Sequence, residues 1–174
     1  MSINIADAYY LKALNNYPYN MEFVTENLNY ALGYDNNHAQ SNYLMGRIHM
    51  EILKDYREAE YYFEQAIVSD INFVDTYKYF SLLKIWQGEY QSAEKIIAYG
   101  LKVKGMDRAI LLHRRALILE AKGQNILAKK IVAYALRSSL TEHHVDFFNE
   151  EIKRLQIKNK AIRKLQKSYE TQMA

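Results

Sequence analysis

The chain has 174 residues, a formal net charge of +3 and no cysteine, which rules out disulfide frameworks, thiolate zinc sites and cysteine nucleophiles. Hydrophobic residues make up 49% and charged residues 25%, the balance of a folded, soluble protein and not of a disordered one. One proline and six glycines are too few for turn-rich β structure, so long helices with short connections are expected.

Along the chain, the opening residues Met1-Ser2-Ile3-Asn4-Ile5-Ala6-Asp7 lack the basic-then-apolar pattern of a secretory signal. The most apolar stretch, Ala109 to Leu119, is interrupted by His113-Arg114-Arg115 and cannot span a bilayer. A cytoplasmic location is expected. Further on, three segments align with one another: Lys54-Asp55-Tyr56-Arg57-Glu58-Ala59-Glu60, Gly88-Glu89-Tyr90-Gln91-Ser92-Ala93-Glu94 and Gly123-Gln124-Asn125-Ile126-Leu127-Ala128-Lys129. Ala59 and Ala93 are 34 residues apart, Ala93 and Ala128 are 35 apart. Four residues after each alanine stands an apolar side chain (Phe63, Ile97, Val132), and three further on a small one (Ala66, Gly100, Ala135). Positions i, i+4 and i+7 lie on one stripe of a helix. Each unit therefore reads as two antiparallel helices, with the small residue permitting close approach and the large one filling the space beside it. A lone hairpin cannot bury its apolar face, so neighbouring hairpins must stack.

This pattern resembles the tetratricopeptide family, whose 34-residue motif has a large residue at position 4, a leucine–glycine type pair at 7 and 8, glycine at 15, alanine at 20, an aromatic at 24, alanine at 27 and proline at 32. Ala59, Ala93 and Ala128 match position 20, Phe63 matches 24, and Ala66 and Ala135 match 27. Gly88 and Gly123 match 15, Tyr43 and Tyr77 match 4, and Ala116 matches 8. Counting back from Ala31 gives a degenerate first repeat with Val24 and Leu28 at 20 and 24, and Lys12 and Asn15 at positions usually buried. The repeats become approximately 5–38, 40–73, 74–107 and 109–142. In the second, Met45-Gly46 is an alternative leucine–glycine pair if the turn after it is one residue longer. No repeat keeps the proline at 32, where Asn36, Ile71, Gly105 and Leu140 stand. The resemblance implies an all-α, right-handed α-solenoid of about four stacked hairpins.

After Leu140, Thr141-Glu142 is a helix start signal. Val145, Phe148, Ile152, Leu155, Ile162 and Tyr169 form a broken apolar stripe, as expected of a helix capping the array over residues 143–174. From Glu151 onward seven basic residues (Lys153, Arg154, Lys158, Lys160, Arg163, Lys164 and Lys167) face two acids, Glu151 and Glu170, giving 7 − 2 = +5. Two other readings of this segment are a basic arm for nucleic acid or an anionic surface, and a dimerisation seam through Ile152, Leu155 and Ile162 with Asn159 as its polar residue.

No catalytic or metal-binding constellation is legible. The histidines (His38, His49, His113, His143 and His144) include no pair at i, i+4 and no HExxH, and no phosphate-cradling glycine loop or GxSxG elbow occurs. Neither an enzyme nor a cofactor or metal is expected. The resemblance instead places a partner-binding groove at motif positions 2, 5, 9, 12 and 13. These are Ala6, Tyr9, Ala13, Asn16 and Tyr17 in repeat one, and Ser41, Leu44, Ile48, Glu51 and Ile52 in repeat two. They are Asp75, Lys78, Leu82, Ile85 and Trp86 in repeat three, and Ile110, His113, Leu117, Glu120 and Ala121 in repeat four. Tyr9, Tyr17, Leu44, Ile48, Leu82, Trp86 and Leu117 then form an apolar path suited to a helical or extended segment of a partner protein. The same residues could instead pack between helices, or be covered by the chain's own terminal segment. The carboxylate clamp that some tetratricopeptide proteins use is absent, since only Arg114 matches it.

The expected role is a cytoplasmic adaptor or scaffold. A chaperone of a secretion or assembly system is the alternative, although such chaperones are typically acidic. Nucleic-acid binding through the basic helix is disfavoured because no aromatic stacking platform accompanies the charges.

Overall fold

The computed structural model describes residues 4–139 and 141–173. Met1, Ser2 and Ile3 of the opening segment, Leu140 at motif position 32 of the fourth repeat, and Ala174 lie outside the described residues. Within them all regular structure is helical: α1 (Ile5–Asn16), α2 (Met21–Tyr34), α3 (Ala39–Ile48), α4 (Tyr56–Ser69), α5 (Val74–Trp86), α6 (Tyr90–Gly100), α7 (Arg108–Ala121), α8 (Asn125–Arg137) and α9 (Glu142–Met173). A five-residue π-helical turn, His49–Leu53, extends α3. Among the described residues no helix is long and apolar enough to cross a membrane. The chain divides into two compact units between Gln87 and Gly88, with α1 to α5 in the first and α6 to α9 in the second. The division falls inside the stretch 74–107 that reads as one repeat in the sequence.

Short polar side chains start the helices by accepting from the exposed first-turn amides. Asn20 accepts from Phe23 N, Asp55 from Glu58 N, Asp107 from Ala109 N, and Thr141 from His144 N. The turns that end α2 and α4 share one design. Asp35 Oδ1 accepts from Asn37 N at 3.0 Å, and Asp70 Oδ1 accepts from Asn72 N at 2.8 Å. The next carbonyls, Asn36 and Ile71, are the positions where the tetratricopeptide motif has proline. Each is tied down from the following helix, Asn36 O by Asn42 Nδ2 at 3.0 Å and Ile71 O by Tyr77 Oη at 2.7 Å. Side-chain hydrogen bonds thus hold the segment that a proline ring would otherwise stiffen.

The hairpins α1–α2, α3–α4 and α7–α8 close around small residues. On the leading helices these are Ala13, Gly46 and Ala116, all buried. Their counterparts on the second helices are Val24, Ala59 and Ala128, also buried. The intervals are 11, 13 and 12 residues. The second hairpin carries one residue more than the fourth, and the π turn takes it up, because an i→i+5 turn holds an added residue without breaking the helix. The turn ends at Lys54 in the left-handed region, φ 57°, with Asp55 N donating to His49 O at 2.9 Å. Met45-Gly46 is therefore the small-residue pair of the second repeat, and the frame of the leading helix starts one residue earlier than the 40–73 boundaries imply.

In the second unit, Ala109, Leu112, Ala116, Ala128, Val132 and Ala135 of the α7–α8 hairpin form one apolar cluster with Phe148 and Leu155 of α9. Both α9 side chains are 1% exposed. Fully burying side chains of this size stabilises the fold by roughly 1.5–3 kcal/mol each, so the first half of α9 caps the last hairpin.

A Cβ placed on Gly46 would lie 2.7 Å from Phe63 Cδ1, inside contact distance of a ring that is wholly buried. Overpacking costs roughly 1–3 kcal/mol and improved helix propensity returns about 1 kcal/mol. Gly46→Ala is therefore expected to destabilise by about 1 kcal/mol in urea unfolding followed by circular dichroism. In that background Phe63→Leu should cost less than it does in the wild type. Stability equal to the wild type would show that α3 and α4 can separate here.

Candidate partner-binding face

In the first unit Arg47 of α3 reaches the leading helices on both sides. Its guanidinium carbon lies 4.3 Å from the Tyr79 ring centre on α5, 4.9 Å from that of Tyr17 at the end of α1, and 5.9 Å from that of Tyr43. Arg47 Nη2 donates to Glu51 Oε2 at 2.9 Å, and the Tyr17 hydroxyl donates to the same oxygen at 2.5 Å. Burial, reinforced by the bond to Glu51, raises the Tyr17 hydroxyl well above the usual tyrosine range. Burial does the same for Tyr43, and burial with the nearby charge of Asp75 raises Tyr10. These phenols therefore stay neutral at physiological pH. Arg47 Nε is buried and has no hydrogen-bond partner among the described residues. Around this centre Lys78 pairs with Asp75 at 2.8 Å and His38 Nε2 lies 3.0 Å from Asp7 Oδ1. Trp86 is 48% exposed and Ile52 41% exposed, and Tyr56 and Lys54 flank the indole.

The face is thus more polar and aromatic than the apolar path read from the sequence. Leu44 and Ile48, expected to line the groove, are 0% and 1% exposed and belong to the core. The one-residue shift of α3 turns them inward and brings Arg47 outward, since one residue is about 100° of helical rotation. Ala6 and Ala13 are likewise fully buried. Tyr9 lies on the hairpin's own second helix, stacked on Tyr34 at 5.8 Å and tilted against Tyr30 at 5.3 Å. Tyr17, Lys78, Leu82 and Trp86 remain at least partly accessible. The sequence reading missed Tyr10, Tyr43, Arg47 and Tyr79. Their signal was Gly46: a count from the small residue of the leading helix, in place of Ala59, puts Tyr43 and Arg47 at positions 5 and 9.

In the second unit the corresponding face of α7 is occupied by α9. His113 is buried, with Nε2 3.4 Å from Glu151 Oε2 and its ring 5.0 Å from Phe147, edge to face. Leu117 is half-buried. Glu120 takes two bonds from Arg154, at 2.7 and 2.6 Å, and one from Lys158 Nζ at 2.7 Å. Lys153 pairs with Glu150 at 2.7 Å. Three members of the predicted basic patch are thus neutralised within the chain, whereas Lys160, Arg163, Lys164 and Lys167 are exposed. Among the described residues no group of three His, Asp or Glu side chains is placed to hold a metal.

The clasp between α7 and α9 has a pH signature. Hydrogen bonds from Arg154, then Lys158, lower the Glu120 carboxyl from 4.5 to about 2. A lowered carboxylate contributes stability above its unfolded value, and that contribution is lost as pH falls from 4.5 towards 2. Burial lowers His113 below 6.5, so charging it destabilises the fold as pH falls below 6.5. Glu120→Gln should weaken the chain in urea at pH 7, with the difference from wild type closing between pH 4.5 and 2. His113→Gln should flatten the limb that begins below pH 6.5. A Glu120→Gln deficit that persisted unchanged at pH 2 would show that the ion pairs contribute nothing.

No protein-family model and no curated protein matches the sequence. Among solved structures, pilF of Pseudomonas aeruginosa superimposes with a TM-score of 0.78 and 17% identity, covering 95% of this chain and 74% of that one. MamA superimposes with a TM-score of 0.59 and 19% identity, covering 79% of this chain and 96% of that one. Both are tetratricopeptide-containing proteins. At such identities the likeness is one of fold, and it agrees with the hairpin packing above: the chain is an all-α array of tetratricopeptide-like helical hairpins.

Proposed function

We propose that this chain is a non-enzymatic protein-binding module, an adaptor or scaffold, and that it holds a helical or extended segment of its partner on the α1, α3 and α5 face of the first unit. The observation that carries the reading is Arg47, fixed between Tyr17 and Tyr79 with a buried Nε left unmatched. A buried donor without a partner is costly unless a ligand or water meets it. A preorganised arginine among tyrosines, with a half-exposed tryptophan on the same helix as Tyr79, has the composition of interaction hot spots. Tyrosine hydroxyls and the guanidinium can meet peptide carbonyls, while Trp86 and Ile52 receive an apolar side chain. The fold likeness to tetratricopeptide proteins supports protein binding in general and names no partner.

Nucleic-acid binding through the terminal helix loses support from the bonds that commit Arg154 and Lys158 to Glu120. A dedicated chaperone would use the same face and differ in what it holds.

Pull-down from native extract with mass spectrometry, comparing wild type with Arg47→Glu and with Trp86→Ala, tests the reading. Circular dichroism checks that each variant remains helical. A protein captured by the wild type and lost at least tenfold in both variants is the expected result, since removal of a hot-spot side chain costs about 2 kcal/mol or more. Equal capture by all three proteins would place the partner elsewhere.

A further inference from the structure

Helix α9 is much longer than the hairpin it caps. Asn159 makes a hydrogen bond to α8, its Nδ2 lying 3.5 Å from the carbonyl of Asn125, the first residue of α8. The remaining residues, 160–173, extend about 20 Å further at 1.5 Å per residue. The apolar stripe does not stop with the hairpin. Phe148 and Leu155 are buried, and the same seven-residue spacing continues through Ile162 and Tyr169. Leu165, Tyr169 and Met173 are 58%, 64% and 90% exposed.

The start of α8 is also unfinished. Gln124 supplies no side-chain cap, and Asn125, 7% exposed, has an Oδ1 with no hydrogen-bond partner among the described residues. Ile126 and Leu127 beside it are about half exposed. Two clefts of about 400 and 330 Å³ lie between this end of α8 and α9, with Ile126, Asn159 and Arg163 lining both. Over residues 160–173 four cations, Lys160, Arg163, Lys164 and Lys167, face one acid, Glu170, for 4 − 1 = +3.

We propose that residues 160–173 of α9, with Ile126 and Leu127 of α8, form a second docking site, and that its occupant is an acidic amphipathic helix of a partner protein. The stripe continues a helix–helix interface already formed with α8, so its geometry suits another helix. It is narrow and interrupted by Asn159 and Gln166, like a coiled-coil seam, whereas a helix that lies in a membrane surface presents a broad apolar face. A second copy of this chain would bring two +3 segments together, which like-charge repulsion disfavours. An acidic helix meets the four cations, and its carboxylates can also approach the uncapped amides of α8.

The test uses the full chain and two synthetic helical peptides with the same leucine seam, one flanked by glutamate and one by lysine, in fluorescence anisotropy. The glutamate peptide is expected to bind at least about tenfold more tightly than the lysine peptide. Leu165→Glu with Tyr169→Glu, and separately Arg163→Glu with Lys167→Glu, should each weaken it by about tenfold or more. These side chains are exposed, so the fold survives the changes. Arg47→Glu should leave this binding unchanged, which separates the site from the face on the first unit. Equal binding of the two peptides overturns the proposal. So does binding to phosphatidylserine vesicles in place of the peptide, or a dimer in sedimentation that Leu165→Glu dissociates.

Discussion

The contact of a small residue on one helix with a large one on the next sets the geometry of each hairpin. In the second hairpin it takes its tightest form, with the buried ring of Phe63 lying over the bare Cα of Gly46. A helix pair that close leaves no freedom to rotate about its axis, because interior packing resists changes as small as one methylene. Once Gly46 is pinned inward, Leu44 and Ile48 follow into the core, and Arg47 must point to the opposite side. The residue count between the helices then has to be absorbed elsewhere. The π turn at His49–Leu53 and the left-handed Lys54 do this. The position of Glu51, and with it the Tyr17–Glu51–Arg47 network, is a consequence of that local insertion.

The two units use charge in different ways. In the first, one arginine and one carboxylate are embedded among tyrosines, and the network leaves a buried donor at Arg47 Nε. In the second, Glu120 is saturated by Arg154 and Lys158. Its three hydrogen bonds fix α9 on α7 and consume the charge of the helix's first half. Isolated surface pairs of this kind contribute little, but a bidentate arginine sharing a carboxylate with a lysine is a network with defined geometry. The surplus charge of α9 is left beyond the hairpin, on the same stretch where the apolar stripe has lost its neighbour.

The missing prolines show how one constraint can be met in two ways. Proline stiffens a segment covalently by fixing φ. Here an aspartate turn, together with Asn42 or Tyr77, holds the equivalent carbonyl. Both solutions direct the chain from one hairpin into the next, and only the second needs the following helix already in place.

The sequence by itself determined the all-α class, the hairpin repeat and the second-helix positions, because Ala59, Ala93 and Ala128 recur with Phe63, Ile97 and Val132 at helical spacing. It also located the cap: Phe148 and Leu155 stood out on the terminal stripe. Which face each leading helix shows was decided only by the tertiary structure. A repeat anchored on the second helix carries any inserted or deleted residue into the first, and a single residue rotates the helix by about 100°. That rotation moved Leu44 and Ile48 inward and Arg47 outward. Ion pairing was equally invisible in one dimension: Glu120 and Arg154 are 34 residues apart, and nothing local marks Arg154 as held and Arg163 as free to meet a partner. Spacing along the chain records periodicity, whereas the choice between buried and exposed, or paired and unpaired, is made by neighbours that only folding brings together.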